Sequence, residues 1–256
     1  MFKALFFDID GTLLPFSTHR VSPATVAAFD TLRRRGILTF IATGRPRVLI
    51  PDLPLPLDGY VTVNGGHVTV RDRVLLRRPI AKADSLRWLD YVREHDLVTM
   101  AFTESRMFVN RISREALAIR DQLDFTMPPL LPLDDLSQET VFQYIALMPS
   151  SCDASVSALL PGCRLPRWHP AFSDLIPKDS SKAAGMERVL AHCDVRKEEI
   201  MAFGDGANDI EMLSFAGCGV AMGNASDEVK AHADYVTATA DDDGIVQALR
   251  HFGLLD

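Results

Sequence analysis

Apolar residues along this chain fall into short unbroken runs, separated by stretches in which they recur every three or four positions. The first run, Lys3 to Asp8, is rich in aromatic residues and ends in acidic residues and Gly11. Such a run predicts a strand covered on both faces. The same reading applies to "ILTFIAT" at Ile37 to Thr43, and to Tyr60 to Val63, Ile200 to Gly204, Gly219 to Met222 and Tyr235 to Val236. Between the first two runs lies a helix signal: Ser22 can cap it and Pro23 fits the first helical position. Val26, Phe29 and Leu32 follow at helical spacing, and Gly36 can close the helix in a left-handed conformation. Strands alternating with helices predict right-handed crossovers and a parallel sheet with helices on both faces.

The middle of the chain has a different rhythm. After a hairpin signal at Asn64-Gly65 and the segment up to Pro79, Leu86, Leu89 and Val92 mark a helix. "LVTMAF" and "RMFVN" then form a hairpin around Glu104-Ser105. A helix near Ser113 to Leu123 precedes a Pro-rich loop, the strand "FQYIALM" and a helix around Ala154 to Leu160. Strands near Cys163 to Trp168 and Phe172 to Ile176 complete the stretch. The predicted class is α/β: a doubly wound parallel-sheet (Rossmann-like) core over residues 1–81 and 179–256, with an α+β unit inserted at residues 82–178.

The length of 256 residues suits one large or two modest domains, and 47% hydrophobic residues suffice for a core. The net charge of −7 argues against nucleic acid as a partner, and "RRR" at Arg33 to Arg35 reads as a solvated helix end. No apolar run reaches the ~20 residues that span a bilayer, and "MFKALFFDIDGTLL" carries acid where a signal peptide would be apolar, so a cytoplasmic location is expected. Cys152, Cys163, Cys193 and Cys218 are scattered without a C-x-x-C pair and read as reduced, mostly buried small apolar residues.

Four clusters sit where predicted strands end or helices begin, the edge at which doubly wound sheets bind ligands. They are Asp8-Ile9-Asp10-Gly11-Thr12, Thr43-Gly44-Arg45, Lys182 after Ser181, and Gly204-Asp205-Gly206-Ala207-Asn208-Asp209. Each alone is explained by a turn, a helix cap or a solvated side chain, but four at one edge of one sheet are not. If Asp205 and Asp209 converge on Asp8 and Asp10, like charges crowd together. Two charges 4 Å apart repel by about 1 kcal/mol in water and about 4 kcal/mol at an effective dielectric near 20. A divalent cation or raised pKa values must offset this, and a site of few carboxylates suits Mg²⁺. "DGAND" is not an EF-hand, since Ala207 holds its third position and the later Gly and Glu are missing.

The order and wording of these clusters resemble the haloacid dehalogenase-like hydrolase superfamily, and within it the Cof-like phosphatases, which carry an α/β cap inserted after the third strand. "DIDGTL" is similar to the first motif, "ATGR" to the second, "SKAAGMERVL" to the Lys-bearing third and "GDGANDIEML" to the fourth. "GVAMGNASDEVKAHADYVT" and "DDDGIVQAL" are similar to its C-terminal segments, so the likeness covers the whole core. The resemblance implies Asp8 as the nucleophile that forms an aspartyl-phosphate, and Asp10 as the group that protonates the leaving alkoxide and then activates water. It implies Thr43, backbone N–H groups near Gly44 and Lys182 as the cradle for phosphoryl oxygens. Mg²⁺ would be held by Asp205, a carboxylate oxygen of Asp8 and the main-chain carbonyl of Asp10, with Asp209 binding it directly or through water. Asn208 would support that shell or contact phosphate, and the cap would choose the substrate.

Arg45 can reach substrate or remain a surface residue beside Pro46. Asn64 and Gly65 border the site or form a type I′ turn. Asp241 to Asp243 read as caps of the last helix, and Asn224-Ala225-Ser226 as a sequon without meaning in a cytoplasmic protein. The expected function is a Mg²⁺-dependent phosphatase of small phosphorylated metabolites, foremost sugar phosphates, acting as a monomer or weak dimer. Its rivals are a phosphomutase of the same superfamily and a regulatory protein switched by aspartyl phosphorylation.

Overall fold

The computed structural model describes residues 1–123, 126–167 and 169–256, and for residues 122 and 123 the backbone alone. They divide into two compact units: residues 1–45, 50–77 and 181–256 form the first, residues 46–49 and 78–180 the second.

The first unit opens with β1 (Ala4–Phe7), whose four residues are all buried. Alternation sends Leu5 and Phe7 to one face and Ala4 and Phe6 to the other. In α1 (Pro23–Arg34) the Ser22 hydroxyl accepts from the Thr25 N–H at 3.1 Å, and Gly36 beyond its end lies at φ +72°. Strands β2 (Leu38–Ala42) and β3 (Gly59–Thr62) extend the sheet in parallel. The chain then reverses through Val63, Asn64 and Gly65, all at positive φ, into the antiparallel strands β4 (His67–Val70) and β5 (Arg73–Arg77). The parallel sheet is therefore mixed at one edge, where the hairpin signalled at Asn64-Gly65 adds two antiparallel strands. Its turn is longer than the two-residue type I′ form which Asn-Gly signals.

The second unit contains α2 (Lys82–Glu94), which buries Ser85, Trp88, Leu89 and Val92. Leu86, expected on that stripe, is exposed because it falls between the i, i+3, i+4 positions of the buried face. Then come β6 (Val98–Phe102), β7 (Met107–Val109), α3 (Arg114–Leu123), a single turn α4 (Leu133–Leu136) where a loop was expected, β8 (Gln143–Leu147), α5 (Asp153–Leu159), β9 (Cys163–Arg164) and β10 (Phe172–Pro177). β9 is shorter than the run read to Trp168, which itself lies outside the described residues. The sheet runs β7-β6-β8-β10-β9, all antiparallel, with a buried cluster on each face. This unit is wider than residues 82–178, since the Ile80 N–H donates to the Val141 carbonyl and the Ser180 N–H to that of Pro177.

The first unit resumes with α6 (Lys182–Cys193), β11 (Ile200–Gly204), α7 (Ile210–Phe215), β12 (Cys218–Ala221), α8 (Asp227–Lys230), β13 (Tyr235–Val236) and α9 (Gly244–His251). Its sheet order is β13-β12-β11-β1-β2-β3-β4-β5. Residues of α1 and α9 pack with Leu5, Phe7, Ile41 and Phe203 on one face, and those of α6, α7 and α8 with Phe6, Phe40 and Ala202 on the other. Asp243 stands at the start of α9 but does not cap it with its side chain. At φ +54° that carboxylate turns away and accepts from the Ser22 hydroxyl instead. The cysteines are free, Cys163 and Cys218 buried and Cys152 and Cys193 only partly so. Among the described residues no helix is long and apolar enough to cross a membrane.

Candidate active site

β1 lies between β11 and β2, with Phe7 level with both Phe203 and Ile41. Asp8, Asp205 and Thr43 therefore leave the sheet at one edge, where the strand order switches direction. The Asp8 N–H donates to the Phe203 carbonyl at 3.0 Å, extending the ladder by one residue. The chain then turns at Gly11 (φ +76°), and the Leu14 N–H closes the loop on the Ile9 carbonyl at 2.8 Å. A Cβ on Gly11 would stand 2.1 Å from Asp205 Oδ2, so both the torsion and the close approach demand glycine.

Lys182 is the first residue of α6, whose N-terminus Ser181 caps by accepting from the Ala184 N–H at 3.1 Å. The Lys182 side chain is fully buried, and its Nζ donates to Asp8 Oδ1 at 2.6 Å and Asp209 Oδ1 at 2.5 Å. A cation in the first turn opposes the helix dipole. Burial also pulls its pKa down, yet the two carboxylates outweigh this and leave it above its ordinary value. The turn at Val63–Gly65 steadies this helix start: a Cβ on Gly65 would stand 1.9 Å from the Ser181 carbonyl oxygen.

Asp209 is wholly buried, and its Oδ2 accepts from the N–H groups of Asp205 (3.0 Å) and Gly206 (2.9 Å). Asp205 accepts at Oδ1 from the Thr12 hydroxyl (3.0 Å) and at Oδ2 from Asn224 Nδ2 (3.1 Å). Burial, then the charge of Asp209, pushes its carboxyl up to about 7. Burial likewise drives Asp8 well above the usual carboxylate range; Lys182 pulls it back, and Asp209, Asp205 and Asp10 push it up. One ligand oxygen from each of Asp8, Asp205 and Asp209 lies within 4.8 Å of the others. Three hard oxygen donors crowded together at one strand-end edge fit a small divalent cation such as Mg²⁺.

Asp10 departs from this group. Its two carboxylate oxygens accept from Arg45, Oδ2 from Nε at 2.7 Å and Oδ1 from NH2 at 2.6 Å. The fork occupies only the side chain and leaves untouched the main-chain carbonyl, the Asp10 atom expected at the metal. Thr43 is buried, and its Oγ1 accepts from the Arg45 N–H at 3.1 Å while its carbonyl accepts from the Asn64 N–H. A Cβ on Gly44 would lie 3.2 Å from Asn64 Oδ1, the atom that accepts from Asn208 Nδ2 at 3.2 Å. All of Asp8, Asp10, Thr43, Gly44, Arg45, Lys182, Asp205, Asn208 and Asp209 thus belong to one strand-end neighbourhood. The sequence reading assigned Thr12 no role and took Asn224 for a sequon. The signal that could have found Asn224 is a Gly-Asn pair just past the end of a parallel strand at the same sheet edge.

A doubly wound sheet whose strand ends gather carboxylates around a buried lysine makes a centre suited to hold a divalent cation at a ligand-binding edge. The chain belongs to the haloacid dehalogenase-like hydrolases, whose family pattern matches residues 5–249. It is 31% identical to "Putative phosphatase YkrA" of Bacillus subtilis (strain 168), across 99% of this chain and 98% of that protein. It is 27% identical to the 5-amino-6-(5-phospho-D-ribitylamino)uracil phosphatase YcsE of the same organism, across 98% and 96%. Its fold matches the solved subclass IIB sugar phosphatase BT4131 with a TM-score of 0.90 and 36% identity, covering 99% of this chain and 100% of that one. The protein is a phosphatase of this family, as its four motifs implied.

Proposed function

We propose that this phosphatase hydrolyses small phosphorylated metabolites, foremost sugar phosphates, with Mg²⁺ and through an aspartyl-phosphate on Asp8. The observation that carries the reading is the Asp8 carboxylate, buried at a strand end and hydrogen-bonded to the buried Lys182. An Asp8 oxygen attacks phosphorus while the bond from phosphorus to the ester oxygen breaks. Asp10 gives the departing oxygen its proton, then takes one from the water that attacks phosphorus and frees Asp8. Both Asp10 oxygens accept from Arg45, one hydrogen bond each, which holds the carboxyl in place and leaves a lone pair on each oxygen to carry the proton. Thr43 and the N–H groups near Gly44 orient those oxygens, and Asn208 lines the same rim through Asn64. Mg²⁺, held by the carboxylates of Asp8 and Asp205 and the carbonyl of Asp10, would supply the positive charge that lets an anionic nucleophile meet a phosphate. Asp209 would meet the ion directly or through water, while its Oδ1 accepts from Lys182 and its Oδ2 holds the Asp205 turn.

Sugar phosphates come first because the matched structure is that of a sugar phosphatase and the matched relative acts on a phosphorylated ribityl chain. The test is a panel of phosphorylated metabolites assayed for free phosphate, with Mg²⁺ and with excess chelator. Phosphate should appear from sugar phosphates in Mg²⁺ only. Isomerised sugar phosphate without free phosphate would instead mark a phosphomutase, and a phosphoenzyme lasting minutes without turnover would mark a switch.

A further inference from the structure

Asn224 stands in the loop after β12, three residues beyond Ala221. Its backbone is tied to the catalytic edge by neighbours: the Met222 N–H donates to the Gly204 carbonyl at 3.0 Å, and the Gly223 N–H to that of Ala238 at 2.9 Å. Its side chain is committed at both ends. Nδ2 donates to the Gly11 carbonyl at 2.9 Å and to Asp205 Oδ2 at 3.1 Å, while Oδ1 accepts from the Ala240 N–H at 3.0 Å. Turning the amide over would aim Oδ1 at a carbonyl and a carboxylate and Nδ2 at an N–H, so the three hydrogen bonds specify one orientation.

The three gathered carboxylates differ in what holds them. Lys182 donates to Asp8 and Asp209, whereas the hydrogen bonds to Asp205 come from the neutral donors Thr12 and Asn224, one to each oxygen. Each carboxylate oxygen offers two lone pairs, so this pattern uses one on either side and leaves one on each oxygen. The missing side chain of Gly11 supplies the seat on which Oδ2 rests. Asp205 is thus fixed in orientation without an ion pair, with a lone pair on each oxygen left for a cation. Groups that orient a ligand in this way typically change metal affinity about 10–100-fold when removed.

We propose that Asn224 is a positioning residue for the metal: by clamping Asp205 to the Gly11 turn, it sets the affinity of the site for Mg²⁺. The inference rests on the Mg²⁺ reading of the function, and its test separates the two. Because Asn224 is exposed, Asn224→Ala removes the clamp without opening a core cavity. Mg²⁺ alone is titrated by calorimetry into wild-type and variant protein freed of metal, and melting is followed with and without Mg²⁺. The expected result is a dissociation constant raised about 10–100-fold, with the Mg²⁺ concentration for half-maximal activity rising by the same factor. Asn224→Ser, whose hydroxyl is too short to span both Gly11 and Asp205, should behave alike and stands in should the Ala variant perturb the loop. A folded variant with wild-type Mg²⁺ affinity overturns the proposal. So does a lower melting temperature without Mg²⁺ at unchanged affinity, which would make Asn224 only a tether to Ala240. Wild-type protein that binds no Mg²⁺ would remove the metal reading itself and the proposal with it.

Discussion

Asp8 and Asp10 stand two positions apart, yet their carboxylates have different surroundings. The Asp8 side chain is nearly buried and held by a lysine, while that of Asp10 is 40% exposed and forked by Arg45. A nucleophile needs a fixed line of approach, and an acid/base needs room to exchange partners and protons. Asp8→Asn should therefore keep the fold, since the amide is isosteric, and lose turnover on every substrate; retention of about a tenth of the wild-type rate would refute its role. Asp10→Asn should cost about 10²–10⁴-fold on an alkyl phosphate and less on p-nitrophenyl phosphate, whose leaving group needs no proton. Equal losses on both would remove the acid role. These residues were legible in the sequence because acids, a lysine and glycines at strand ends are rare together. The parts played by Thr12 and Asn224 were not, because a neutral side chain becomes informative only when its partner is known. The Arg45–Asp10 fork lay equally hidden, since it joins residues 35 positions apart.

At the scale of elements, the start of β1 is fastened to the start of β11 through Glu199. Its carboxylate meets Lys3 at 2.9 Å and Arg196 at 3.1 Å and accepts from the Arg196 N–H, while the Lys3 N–H donates to the Glu199 carbonyl. Hydrogen bonds from Arg196, then Lys3, lower its pKa from an ordinary 4.5 to about 2. A depressed carboxylate contributes stability that is fully present above the unfolded value and is lost as pH falls through the folded one. Glu199→Gln should therefore lower the urea midpoint by a constant amount from pH 7 to about 5, and the gap should shrink as pH falls toward about 2. A gap independent of pH would show that shape rather than charge ties the strands. The strands and α1 could be read from apolar runs and caps because burial on both faces, or on one stripe, is written in residue type. β5 could not, since Arg73 and Arg77 bracket it and its residues are exposed or only half buried, as at a sheet edge. The stripe of α2 was misread because Leu86 is apolar but exposed, whereas Ser85 takes a buried place by bonding the Tyr144 hydroxyl at 2.6 Å.

At the scale of the molecule, the chain leaves the first sheet after Arg77, builds a second sheet with its own buried clusters around Trp88, Tyr144 and Phe172, and returns to the first unit at Ser181 and to its sheet at Ile200. The residues proposed for the chemistry, Asp8, Asp10, Thr43, Lys182 and Asp205, all belong to the first unit. The insertion was visible in the sequence as a change of rhythm. Its edges were set only by backbone bonds such as Ile80 to Val141, which no pattern encodes. Arg78 donates to the Asp179 carbonyl, so the two crossing segments run side by side and a short linker can join them. Replacing residues 82–178 by Gly-Ser residues should, in a folded soluble variant, leave Mg²⁺-dependent hydrolysis of p-nitrophenyl phosphate in place while flattening the ranking of sugar phosphates. A site built to hydrogen-bond a hydroxyl rejects the analogue lacking it by about 10⁴–10⁵-fold in kcat/KM, so one or two such contacts from the insertion would account for a strong preference. The measurement is kcat/KM across a panel of sugar phosphates that differ at single hydroxyls. A shortened enzyme that ranks the panel as the intact protein does would place selection in the first unit, among Arg45, Asn64 and Asn208, and would leave the insertion without a part in recognition.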